Sequence, residues 1–175
     1  MNSTSSPSAA NHPASWPVEH LLAECEIKRT RASGPGGQHR NKVETAIVIT
    51  HLPSKIVGQA SERRSQDLNR QMAVQRLRVN LAVEVRSLPD VLSPLWLSRS
   101  HGGKISISES HADFPAILAE ALDHLAAHHF DHSATAAALQ ISGTQLVGLL
   151  SQESRALEQL NEQRKLLGLK PLVAR

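Results

Sequence analysis

A chain of 175 residues with a formal net charge of +3 has room for one ordinary domain or two small ones, each with a modest core. Its single cysteine, Cys25, excludes an internal disulfide and any CxxC or zinc-knuckle site, and no apolar run approaches the ~18 residues that cross a bilayer. With four aromatic residues, Trp16, Trp96, Phe114 and Phe130, and no tyrosine, a base-stacking platform for single strands has little to work with.

The charge is unevenly spread. From Glu26 to Arg86 there are twelve Lys/Arg against five Asp/Glu, a balance of +7, whereas the rest of the chain has seven against eleven, or −4. A concentrated positive field of this kind points to a phosphate-bearing partner, nucleic acid first, met through backbone and shape; a solvated basic face is the alternative.

In chain order, the first seventeen residues are rich in Ser, Ala and Pro and contain no Lys or Arg. They lack the basic start of a secretory signal and the arginines of a transit peptide, so residues 1–19 read as a disordered leader and the cytoplasm as the location. Around Cys25 and Ile27 the spacing suits a strand entering a turn at Gly34. "KVETAIVITHLP" sets Ala46, Val48 and Thr50 on one face and Ile47 and Ile49 on the other, a β-branched strand ending at Pro53, and "SKIVGQAS" reads as its hairpin return. From Ser65 the period changes to about 3.6 through Leu68, Met72, Leu77 and Leu81, with no Gly or Pro until Pro89, which predicts a helix of several turns.

Residues 88–112 read as a linker or β-hairpin, with the glycine pair of "HGGK" supplying a tight turn between "LWLSRS" and "ISISES". From Asp113 the pattern is helical through Phe114, Ile117, Leu118, Ala121, Leu122 and Leu125. A small-residue helix over about 134–139, a break at 141–143 and a second amphipathic helix resemble a helix-turn-helix, and a last helix closes the chain near Pro171. The expected class is α+β: a compact unit over residues 20–87, then a mainly helical region over 113–175.

The stretch "SGPGGQHRNK", residues 33–42, is the chemical centre of the sequence. Gly36 and Gly37 permit φ > 0 and leave no Cβ between the backbone and whatever approaches it, and Pro35 removes freedom just before them. Gln38 then offers a backbone N–H and a side-chain amide, with no group able to act as a strong base or nucleophile near neutral pH. Chemistry here works by positioning and hydrogen bonding.

Together, "SGPGGQHRNK", "VETAIVITHLPSKIV" and "RRSQDLNRQMAVQRL", in that order, resemble the catalytic domain of class I peptide chain release factors. They also resemble its small rescue relatives, the peptidyl-tRNA hydrolases that include alternative ribosome rescue factor B. The resemblance implies a small β-α-β-β-α domain that hydrolyses the ester between nascent peptide and P-site tRNA in the large ribosomal subunit, without a cofactor. It implies Gly36, Gly37 and Gln38 as catalytic, the Gln38 N–H stabilising charge in the tetrahedral transition state or on the leaving 3′-hydroxyl while its side chain restricts access to a water. Arg31, Arg40 and Lys42 would meet ribosomal RNA or tRNA phosphates, and Arg64 would do the same or brace the loop from the helix start. Ser33, Gly34, Pro35, Asn41, Ser65 and Gln66 would hold the loop's shape. A methyltransferase acting on Gln38 is a further candidate partner. His39 is read as a positioning or packing residue, and Cys25 as a small hydrophobe on the entering strand.

The sequence also departs from that pattern. Stop-codon reading needs additional domains that these 175 residues do not supply, so codon-independent action is expected. Short rescue factors follow the domain with a basic tail, but here the last twenty-one residues hold only Arg155, Arg164, Lys165, Lys170 and Arg175, mixed with Glu158 and Glu162. The helix-turn-helix-like region binds another RNA or protein surface, or is simply a helical bundle; "GTQLVGLLSQE" has no Arg or Lys for phosphates, so DNA is not an expected partner. His124 and His128 at i, i+4, with His129 and His132 nearby, have metal-compatible spacing, but histidines on a solvated helix do the same and no metal site is expected. A non-catalytic ribosome- or RNA-binding factor that keeps the fold is the alternative reading of the whole.

Overall fold

The computed structural model describes residues 12–30, 45–89 and 91–173. A three-stranded antiparallel sheet forms from β1 (Cys25–Thr30), β2 (Ala46–His51) and β3 (Val57–Ala60), in spatial order β1-β2-β3. The expected alternation on β2 holds from Ile47 onward: Ile47, Ile49 and His51 are buried and Val48 and Thr50 half-buried, whereas Ala46, expected on the face of Val48 and Thr50, is buried as well. The mixture of this small sheet with helices is the α+β class the sequence indicated. The helix expected between the first two strands falls within 31–44, outside the described residues.

Across the sheet lies α2 (Gln66–Glu84), started by the Ser65 side chain, whose Oγ accepts from the Leu68 N–H at 3.4 Å. Asn69, Ala73, Leu77 and Leu81 recur every four residues and are all buried, so this stripe faces the strands. Gly58 makes the close approach possible: a Cβ there would stand 2.3 Å from the Ala73 carbonyl oxygen and 2.5 Å from the Leu77 nitrogen. A glycine inside a strand pattern is the sequence mark of such a contact.

The other side of α2 carries α4 (Phe114–Ala127). Between them in sequence come α3 (Pro94–Arg99) and a short hairpin, β4 (Ser100–His101) with β5 (Lys104–Ile105). The hairpin turn expected at "HGGK" is there, with Gly102 and Gly103 both at positive φ. Its strands are shorter than the flanking text suggested, because Ser93 caps and Pro94 begins a helix that takes "LWLSR". The Trp96 indole, wholly buried, donates to the Leu139 carbonyl at 2.9 Å and so fixes α3 to the next helices.

Those are α5 (His132–Ala138) and α6 (Gly143–Ser151), joined through residues 139–142 as the helix-turn-helix pattern indicated, and α7 (Ser154–Leu166). Arg164, one of the cations of the final segment, is buried and donates to the carbonyls of Lys170 and Phe130. Core residues from the sheet, α2, α4 and α5–α7 form one hydrophobic cluster. None of the described helices is long and apolar enough to cross a membrane.

Residues 12–19 correct the expectation of a disordered leader. His12 and Ala14 are buried, a 3-10 turn spans Pro13–Ser15, and α1 (Val18–Ala23), not anticipated, leads into β1. His12 accepts from the Ala14 N–H at Nδ1 (3.0 Å) and its Nε2 lies 3.1 Å from the Val85 carbonyl; Arg78 donates to the carbonyls of Ala14 and Ala112. The composition suggested disorder because the contacts that order this segment are supplied by α2 and α4, far along the chain.

Candidate active-site frame

The central sequence-predicted residues, Arg31, Ser33, Gly34, Pro35, Gly36, Gly37, Gln38, Arg40, Asn41 and Lys42, lie outside the described residues. What the structure describes is the frame from which that segment departs and to which it returns. Thr30 closes β1 and is paired with Ala46, the first residue of β2. The ladder therefore sets the two ends of the intervening segment side by side at one end of the sheet.

On the return side the frame is held by Asn69, which belongs to the stretch that carries the resemblance but was given no site role from the sequence. Asn69 is 0% exposed. Its Nδ2 donates to the Thr45 carbonyl at 2.7 Å and to the Arg63 carbonyl at 2.8 Å, while its Oδ1 accepts from the Arg63 N–H at 2.9 Å. Two acceptors face the amide nitrogen and one donor faces the oxygen, so the orientation of the amide is fixed by its partners. The signal was present in the spacing, since position 69 continues the Ala73–Leu77–Leu81 stripe and a polar residue there has to be buried.

Arg64, Ser65 and Gln66 sit beside this knot, at the passage from β3 into α2. Arg64 is exposed. Ser65 is the N-cap of α2 and Gln66 its first residue. Arg29, next to the end of β1, and Arg63 are also exposed cations at the frame and were not singled out in the sequence. Other cations of the basic window are consumed internally. Arg76 donates to the Gln59 carbonyl (2.8 Å) and to Glu62 (2.7 Å), holding that carboxyl below its usual range, and Arg86 donates to the carbonyls of Ala82, Val83 and Val85.

Three other groupings invite a functional reading, and local geometry explains each. His51 Nδ1 is 2.7 Å from Ser54 Oγ and its Nε2 is 3.6 Å from Glu24, a serine, histidine and acid in sequence. The imidazole is only 3% exposed, with Trp16 edge-on at 6.3 Å, so it closes the β2–β3 turn where substrate cannot reach it. A cavity of about 370 Å³ is lined by His12, Glu120, Asp123 and His124 among others. Asp123 accepts from the Ser87 N–H, and Glu120 from the Ser93 N–H and hydroxyl, so these carboxyls tie the segment after α2 to α4. His124 and His128 have nearly parallel rings 6.3 Å apart, and no group of three or more His, Cys, Asp or Glu suited to a metal occurs among the described residues. Cys25 is half-buried, donates from Sγ to the Leu21 carbonyl, and has its thiol pKa pushed up by burial, which suits packing over nucleophilic attack.

Residues 18–89 match the RF-1 domain model. They include Gly36-Gly37-Gln38, the frame strands and all of α2. Residues 18–89 belong to the class I release-factor-like family. The RF-1 domain is similar to peptide chain release factor 2 of Neorickettsia sennetsu (strain ATCC VR-367 / Miyayama), 49% identical over 71 residues, 40% of this chain and 20% of that protein. It is also similar to peptide chain release factor 1 of Xylella fastidiosa (strain 9a5c), 48% identical over 65 residues, 37% of this chain and 18% of the relative. Peptide chain release factor 1 of Acidiphilium cryptum (strain JF-5) is 49% identical over 70 residues, 40% of this chain and 20% of that relative. The chain thus spans about a fifth of the length of the curated relatives it matches.

Proposed function

We propose that the protein hydrolyses the ester between the nascent peptide and the P-site tRNA on the ribosome, without reading a stop codon. The observation that carries this reading is an intact Gly36-Gly37-Gln38 inside an RF-1 domain about half identical to release factors. Water adds to the ester carbonyl, the tetrahedral species collapses, and the 3′-hydroxyl of the terminal ribose leaves. Gln38 supplies a backbone N–H for the developing negative charge and restricts access to the attacking water; Gly36 and Gly37 let the loop approach the tRNA end. Arg31, Arg40, Lys42 and the exposed Arg64 meet RNA phosphates.

For codon independence the support is the character of the rest of the chain. Residues 94–166 carry helices and a two-residue hairpin, with α4 packed on α2. The proposed setting is the cytoplasm, with the large-subunit RNA and peptidyl-tRNA as partners and Gln38 as a substrate for methylation. The test is release of labelled peptide from ribosomes holding P-site peptidyl-tRNA with a truncated message or a sense codon in the A site. Release by the parent that falls by ~10²–10³ in Gln38→Ala is the expected result, with a comparable loss in Gly37→Ala. Binding without release from any ribosomal state would instead leave a non-catalytic ribosome-binding factor.

A further inference from the structure

We infer that Asn69 is a positioning residue for peptide release: its buried amide sets where the Gly-Gly-Gln segment is rooted relative to the start of α2. This rests on the hydrolase reading above. Position 69 continues a stripe of Ala73, Leu77 and Leu81 at four-residue spacing, so an apolar side chain there would serve the packing of helix on sheet. An amide at 0% exposure is costly to desolvate and is kept only where its partners are supplied. All three partners are backbone groups: the Thr45 carbonyl, directly before β2, and the carbonyl and N–H of Arg63, in the turn before α2.

The consequence concerns geometry more than strength. The Thr30–Ala46 pairing fixes the two flanks of the segment to each other but says nothing of where that end of the sheet lies relative to residues 63–66. Asn69 makes that second link, spanning 24 residues of sequence to Thr45 and six to Arg63. Thr45, where the segment rejoins the sheet, and Arg63, next to the exposed Arg64, are therefore held to one spacing. Because a misplacement of about 1 Å at a reacting centre can cost ~10²-fold in rate, loss of this link slows the chemical step while the cations that give ribosome affinity remain.

The experiment is single-turnover release at saturating factor, together with the half-saturating factor concentration, for the parent, Asn69→Ala and Asn69→Asp. The aspartate is isosteric and keeps the acceptor for the Arg63 N–H but loses both donors. Leu125→Ala, a cavity in α4 remote from the frame, serves as a folded but destabilised control. Both Asn69 variants should release about tenfold to a hundredfold more slowly with half-saturation changed by less than about threefold, and the Leu125→Ala protein should not. Amide exchange at Arg63 should rise in Asn69→Ala. Release by either folded Asn69 variant within about threefold of the parent, where Gln38→Ala has collapsed, overturns this inference and leaves the hydrolase reading standing. No release by the parent overturns both.

Discussion

Gly58→Ala tests directly whether the helix and sheet are in backbone contact. An added Cβ would stand 2.3 Å from the Ala73 carbonyl oxygen, 2.5 Å from the Leu77 nitrogen and 2.6 Å from the Leu77 Cβ. Two of these are backbone atoms of α2, which cannot rotate away as a side-chain tip can. The helix has to lift from β3 or the strand has to bend, and overpacking of that severity costs about 3 kcal/mol. With a urea m-value of about 2 kcal/mol/M, the unfolding midpoint should fall by about 1.5 M. Gly148→Ala is the matched control: nothing lies within 4 Å of its added Cβ, it sits in α6, and helix propensity alone should stabilise it by up to ~1 kcal/mol. A Gly58→Ala midpoint within about 0.3 M of the parent would refute the packing described. Because Arg63 lies in the turn between β3 and α2 and Asn69 lies in α2, peptide release should fall as well, by more than the loss expected from the unfolded fraction.

Two buried groups should oppose each other in acid. Burial lowers the His12 pKa to about 4, so its share of stability is full above the unfolded value of 6.5 and is lost as pH falls toward 4. Burial raises Asp123 to about 6, so its share is present below the unfolded value of 3.8 and is lost as pH rises through 6. Asp123→Asn keeps an acceptor for the Ser87 N–H and removes the second effect, so between pH 6.5 and 4 the variant should lose on the order of 2 kcal/mol more stability than the parent. Parallel pH profiles from thermal melts would contradict this. At the sheet edge, Arg76 and Asn80 of α2 donate to the outward carbonyls of Gln59 and Val57, so Arg76→Ala with Asn80→Ala should expose β3 and raise self-association in light scattering. Unchanged scattering at equal folded fraction would remove edge protection as their role.

The strands, the long helix from Ser65 and the helical C-terminal half were legible because each rests on local periodicity. The Gly-Gly-Gln stretch was recognised from its residue types, and its role belongs to the proposed function. The structured segment at residues 12–19 was not legible, because His12 and Ala14 are ordered by Val85 and Arg78. Nor was the fate of the basic window. Arg64 and Arg76 count equally in a charge sum, yet one is exposed at the frame and the other is bound to a strand carbonyl and Glu62.

By itself the sequence determined the α+β class, the strands around residues 25–60 and the long helix after Ser65, since these depend on residue type and short-range spacing. Tertiary structure alone decided that Asn69, on the helix, reaches back 24 residues to Thr45, and that Gly58 must remain a glycine beneath Ala73 and Leu77. The physical reason is common to both. A buried hydrogen bond and a backbone contact are made between segments distant in sequence, and their partners are defined only once the helix has been laid on the sheet.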